Sequence, residues 1–164
     1  MGYSGAGKST LAKVFGQRYN CPVLHLDTVQ FQENWQERPR QAANAMVEAF
    51  LDSEENWVID GNYLWDFSIR RRCQEADRII HLLLPRWLCL WRAIRRYLKN
   101  RGKVRDSVAP GCREKMDWEF VRWILWDGRR SRFRAAYRAI AGEYGEKVQV
   151  CRSRRAVKAL VQGR

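Results

Sequence analysis

One short stretch constrains this chain more than any other. Gly2-Tyr3-Ser4-Gly5-Ala6-Gly7-Lys8-Ser9-Thr10 fits the pattern Gly-x-x-x-x-Gly-Lys-[Ser/Thr] without a mismatch. Glycines let successive backbone N–H groups turn inward around a polyphosphate, where a Cβ would block close approach. Residues 11–19 read as a helix whose positive dipole end points at the same anion. Gly2, Ser4, Gly5, Ala6, Gly7, Lys8, Ser9 and Thr10 are therefore expected to form a nucleotide-binding loop. Lys8 would reach the β- and γ-phosphates and Ser9 would place its hydroxyl on Mg²⁺. Such a loop follows a buried strand that is central in a parallel sheet, yet only Met1 precedes Gly2. The expectation is a natural start upstream, with this chain a fragment; the alternative is a domain with a gap in its sheet.

Apolar runs of strand length at 23–26, 57–59, 78–84 and 147–151 alternate with helical patterns at 39–51, 68–75, 87–99, 117–126 and 131–143. Asp117 and Ser153 are placed to cap the helices that follow them. Strands alternating with helices imply an α/β, three-layer domain around a parallel sheet. The 164 residues suit one domain, 1–164, with the polar, Gly-containing stretch at about 99–116 as a lid. Residues 28–38, with Phe31 and Trp35, read as a mobile loop. On the helix at 87–99, Trp87, Leu90, Trp91, Ile94 and Leu98 share one face. The spacing of Trp87, Trp91, Trp118, Trp123 and Trp126 favours a core between the lid helices over a surface that stacks nucleobases.

Charge sharpens the picture. The net charge is +13, but residues 1–85 carry 9 basic against 11 acidic side chains, while residues 86–138 carry 16 against 5. The basic segment suits a polyphosphate or a nucleic acid. No apolar run reaches the length of a membrane span. Five scattered cysteines without a Cys-x-x-Cys pair read as reduced thiols, which points to the cytoplasm.

Two aspartates end predicted strands, and ligands of open parallel sheets bind beyond the carboxyl ends of strands. Phosphoryl transfer needs one carboxylate in the metal shell and often another for the acceptor. Asp60 is assigned to the Mg²⁺ shell through water and Asp27 to the acceptor, although the two could be exchanged. Asn62, Tyr63 and Arg70 follow Asp60 and are candidates for holding the acceptor. Arg101, Lys103 and Arg105 sit in the lid stretch, where guanidinium groups could neutralise charge on the transferred phosphate. Arg92, Arg95 and Arg96 are as well explained by a solvated helix face. His25, inside a strand, reads as core-adjacent and not catalytic.

The loop, His25-Leu26-Asp27, Trp57-Val58-Ile59-Asp60-Gly61-Asn62-Tyr63, Pro85-Arg86-Trp87-Leu88-Cys89-Leu90, Arg101-Gly102-Lys103-Val104-Arg105 and Gly111-Cys112-Arg113-Glu114-Lys115 together resemble the FlaR-related DNA topology modulation proteins. The resemblance runs from Gly2 to about Leu160. That family is similar to small P-loop kinases of the adenylate and shikimate kinase type. The resemblance implies five parallel strands in the order 2-3-1-4-5, ATP and Mg²⁺ as cofactors, and a kinase-like lid. It implies Lys8, Asp27, Arg101 and Arg105 as catalytic residues and Ser9 and Asp60 at the metal. Three functions follow in order of weight: a Mg-ATP phosphotransferase with a small-molecule or nucleotide acceptor, a nucleic-acid-binding protein with a regulatory ATP site, and an ATPase switch.

Overall fold

The computed structural model describes residues 1–100 and 116–163. Lys8–Tyr19 forms the first helix, α1, directly behind the loop. It ends where Asn20 turns left-handed and its N–H caps the Gly16 carbonyl, just before Pro22. Val23–His25 (β1) follows, and the chain turns at once into a short helix, Leu26–Gln30 (α2). Asp27 thus sits in the first turn of a helix, two residues past the strand.

Residues 31–38 are more ordered than their composition suggested. Glu33–Trp35 makes a 3-10 turn and Phe31 bridges Glu37, which folds the stretch back on itself. The Phe31 and Trp35 rings meet edge to face, with centroids 5.2 Å apart. Arg40–Ser53 (α3) buries Ala43, Val47 and Leu51 at helical spacing against Leu26, Val29 and Phe67, a small core of its own.

Val58–Asp60 (β2) pairs in parallel with β1, in register Val23 to Val58 and His25 to Asp60. After Ile69–Glu75 (α4) comes Ile79–Leu82 (β3), which pairs in parallel with Val148–Cys151 (β4). Between β3 and β4 lie Arg86–Lys99 (α5), Trp118–Leu125 (α6) and Ser131–Glu143 (α7), and Arg154–Gln162 (α8) closes the described chain. Asp117 and Ser153 cap α6 and α8 by accepting from Phe120 N and Ala156 N. The main core joins the loop residues Tyr3 and Ala6 to Leu82, Leu84, Phe133, Tyr137 and Ile140.

Among the described residues the strands form two separate parallel pairs and not one sheet. A cavity of about 500 Å³ lies between β2 and β3, lined by Val58, Ile59, Ile80 and Leu82 with Leu11 and Phe15 of α1 alongside. Residues 1–3 touch only its end: Leu82 N donates to Met1 O at 3.0 Å and Tyr3 N to Leu82 O at 3.1 Å. Met1 N also donates to Ile80 O at 2.8 Å, and among the described residues no strand joins β2 to β3 across the space.

The orientation of α5 corrects the sequence reading. Trp87, Trp91, Ile94 and Leu98 are exposed, Trp87 at 66% and Leu98 at 65%, while Cys89 and Ala93 face the core. The inward face must be small because α5 lies on the loop backbone: a Cβ on Gly5 would overlap the Cys89 carbonyl. Of the five tryptophans expected to form a core between helices, Trp87, Trp91, Trp118 and Trp126 are exposed and only Trp123 packs inward.

Candidate functional site

The loop is held in shape from below and from both sides. Gly5 and Gly7 have φ of 76° and 95°, the left-handed region that lets Ala6 N fold back to Tyr3 O at 3.1 Å. Gly7 is the N-cap of α1 and no side chain caps that helix end, so its first N–H groups remain open to an anion. Trp123 Nε1 donates to Ser4 Oγ at 3.1 Å, and Arg92 Nη1 donates to the Ala6 carbonyl at 2.9 Å. The Arg129 guanidinium lies over the Tyr3 ring at 3.9 Å and donates to the carbonyls of Ile124 and Leu84. Gly2 N donates to Asn62 Oδ1 at 3.2 Å, and the Tyr137 hydroxyl donates to the same oxygen. Asn62 therefore ties the loop to the end of β2 through its carbonyl oxygen.

Sequence reasoning missed the parts played by Trp123 and Arg129. The signal was present only as Gly128 beside Arg129, where a Cβ would crowd the Trp123 ring at 3.1 Å. Arg92, which a solvated helix face explains equally well from sequence, bonds to Ala6 and so belongs with the loop.

Lys8 and Asp60 come together at the end of β2, while Asp27 lies just past β1 in the first turn of α2. Lys8 Nζ donates to the Tyr3 carbonyl at 3.3 Å, folded over its own loop. Asp60 is 7% exposed and accepts from His25 Nδ1 at 3.0 Å through Oδ2, while its Oδ1 is buried with no hydrogen-bond partner among the described residues. Burial pushes the Asp60 carboxyl up, but the His25 hydrogen bond, the Lys8 ammonium and the Ser9 hydroxyl outweigh it and hold the pKa below the usual carboxylate value. An ionised, buried carboxylate with one free oxygen, close to Lys8 and Ser9, fits a cation shell that bound phosphates would complete. Among the described residues no three His, Cys, Asp or Glu side chains converge as a metal cage. That suits Mg²⁺, which is bound through one or two carboxylates plus substrate phosphates.

Asp27 is held differently. Its Oδ1 accepts from the Tyr63 hydroxyl at 2.9 Å. Burial and the neighbouring Asp27 charge push the Tyr63 pKa far up, so the phenol remains a donor. Tyr63 is in turn fixed by buried Arg72, which donates to the carbonyls of Tyr63 and Asp66 at 2.9 and 3.0 Å and also to that of Phe67. Arg70 is exposed on α4 and its charge bears on Tyr144, at the end of α7. The structure thus brings Lys8, Ser9, Asp60, Asn62, Asp27 and Tyr63 to the strand ends and leaves Arg70 outside that group. Arg101 and Arg105 lie outside the described residues, as does most of the expected lid.

A glycine-rich loop leading into α1, followed by parallel strands that alternate with helices, makes an α/β fold like that of P-loop kinases. No protein-family model matches the chain, and no curated protein does. Among solved structures the chain is similar to shikimate kinase from Bacteroides thetaiotaomicron, at 19% identity and a TM-score of 0.50, over 99% of this chain and 91% of that one. That likeness concerns the fold; the narrower resemblance to the FlaR-related proteins finds no support in these comparisons. No helix among the described residues is long and apolar enough to cross a membrane.

Proposed function

We propose that the protein is a phosphotransferase that moves the γ-phosphoryl group of Mg-ATP to a small hydroxyl- or phosphate-bearing acceptor. What carries the reading is the division of labour between the two aspartates. Asp60 stands beside Lys8 and Ser9 with a bare buried oxygen, whereas Asp27 stands apart, tethered by Tyr63. Asp60 and Ser9 would hold Mg²⁺, which supplies neutralising charge on the phosphates when bound. Lys8 and the open N–H groups of α1 bind and orient the phosphates. Asp27 takes the proton of the acceptor oxygen as that oxygen bonds to phosphorus and the bond to the β-phosphate oxygen breaks. Arg101 and Arg105 act from a lid at about 99–116, within a single domain of residues 1–164.

A coupled ATP-consumption screen over nucleoside monophosphates, nucleosides, sugars and shikimate-like acceptors tests this. Turnover should require one acceptor class and fall at least about 100-fold in Lys8→Ala. Undiminished turnover in that variant, or tight ATP binding with no acceptor-dependent turnover, would overturn the proposal.

One observation favours a second reading, a nucleic-acid-binding protein with a regulatory ATP site. Trp87, Trp91 and Trp118 are exposed in the basic segment, and Arg95 lies over the Trp91 ring at 5.5 Å. Binding to single-stranded DNA that weakens steeply with salt and quenches tryptophan fluorescence would support it; salt-independent binding would count against it.

A further inference from the structure

His25 sits in register with Asp60 across the β1–β2 pair, at the last position of both strands. Its ring is buried, and its Nδ1 contacts Asp60 Oδ2 at 3.0 Å. An ionised carboxylate only accepts, so Nδ1 must carry the hydrogen in this contact. The backbone around the ring is fixed as well: the Thr28 hydroxyl donates to the His25 carbonyl at 2.7 Å, locking the turn from β1 into α2. One Asp60 oxygen is thereby occupied from the β1 side, and the other is left bare.

We infer that His25 is a positioning residue for the metal: it holds Asp60 in the one rotamer that presents Oδ1 to a Mg²⁺ ion bound with the nucleotide. This rests on the metal role proposed above for Asp60 and Ser9. A side chain hydrogen-bonded to a carboxylate in a cation shell orients it, and losing such a partner costs about 10–100-fold in metal affinity. The ring touches neither the phosphates' loop N–H groups nor Lys8 through any hydrogen bond among the described residues. Nucleotide binding without the metal therefore does not depend on it.

The test compares affinity for a fluorescent ATP analogue in excess Mg²⁺ and in EDTA. Two polar replacements separate positioning from packing, because the amide nitrogen of asparagine falls near the place of Nδ1 and that of glutamine near Nε2. His25→Asn should keep the Mg²⁺-dependent gain in affinity within about threefold of wild type. His25→Gln and His25→Leu should lose about tenfold or more of that gain, with the EDTA affinity unchanged. Equal behaviour of the Asn and Gln variants, or a parallel loss of affinity in EDTA, overturns the inference and assigns His25 to packing alone. A wild-type protein that binds the analogue with no Mg²⁺-dependent gain overturns the metal reading of Asp60 itself, and the inference with it.

Discussion

His81 makes stability depend on pH in a way that can be calculated and removed. It lies in β3 opposite Val150, is 0% exposed, and neither ring nitrogen has a hydrogen-bond partner among the described residues. Its ring meets Tyr137 at 5.1 Å. Burial first, and the Met1 amino group second, lower its pKa from 6.5 to about 4. Between those values the unfolded chain binds a proton that the folded chain refuses. The stability His81 contributes is therefore complete above about pH 6.5 and is lost as pH falls through about 4. At about 1.4 kcal/mol per pH unit, the loss is capped at about 3.5 kcal/mol, and about 2.5 kcal/mol of it is reached by about pH 4.5. Urea unfolding at about pH 7.5 and about pH 4.5 measures it. His81→Leu keeps the volume and removes the titration, so its loss between the two pH values should be smaller than wild type's by about 2–3 kcal/mol. The Met1 amine, lowered to about 5 by burial and Lys8, and the carboxylates titrate in both proteins and cancel. Equal pH dependence in the two proteins would refute the reasoning.

Two further outcomes follow from the site and its surroundings. Tyr63→Phe removes the hydroxyl that fixes Asp27, so acceptor turnover should fall about tenfold with ATP affinity unchanged; equal losses in both would place Tyr63 outside acceptor handling. Five alternating Val and Ile residues joined ahead of Met1 would run between β2 and β3, filling the cavity of about 500 Å³. Apolar burial and ladder hydrogen bonds less the ordering cost should raise stability by roughly 3–5 kcal/mol, with new amide-exchange protection in both strands. A proline-interrupted extension that stabilises equally would sink that expectation.

Much of the architecture could be read without coordinates because it is specified locally. The Gly2–Thr10 motif, the helix behind it, the caps at Asp117 and Ser153 and the inward stripe of α3 depend on glycine conformations, capping oxygens and periodicity within a few residues. Asp60 ends β2 and Asp27 follows β1 in the first turn of α2, both at the C-terminal end of that strand pair. Periodicity alone misled at α5, because it identifies an apolar stripe and not what that stripe meets. The loop backbone claimed the opposite face, where only Cys89 and Ala93 leave room.

The site itself was decided by tertiary structure. His25 and Asp60 are 35 residues apart, Asp27 and Tyr63 are 36 apart, and Trp123 and Ser4 are 119 apart. Chain order says that these residues exist, and residue chemistry says what each can donate or accept. Which donor meets which acceptor depends on the register of a parallel crossover, where a one-residue slip would turn both side chains to the other face. The sequence by itself determined a glycine-rich loop and the helix behind it; only the pairing of β1 with β2 gave Asp60 a histidine and left its other oxygen without a partner among the described residues.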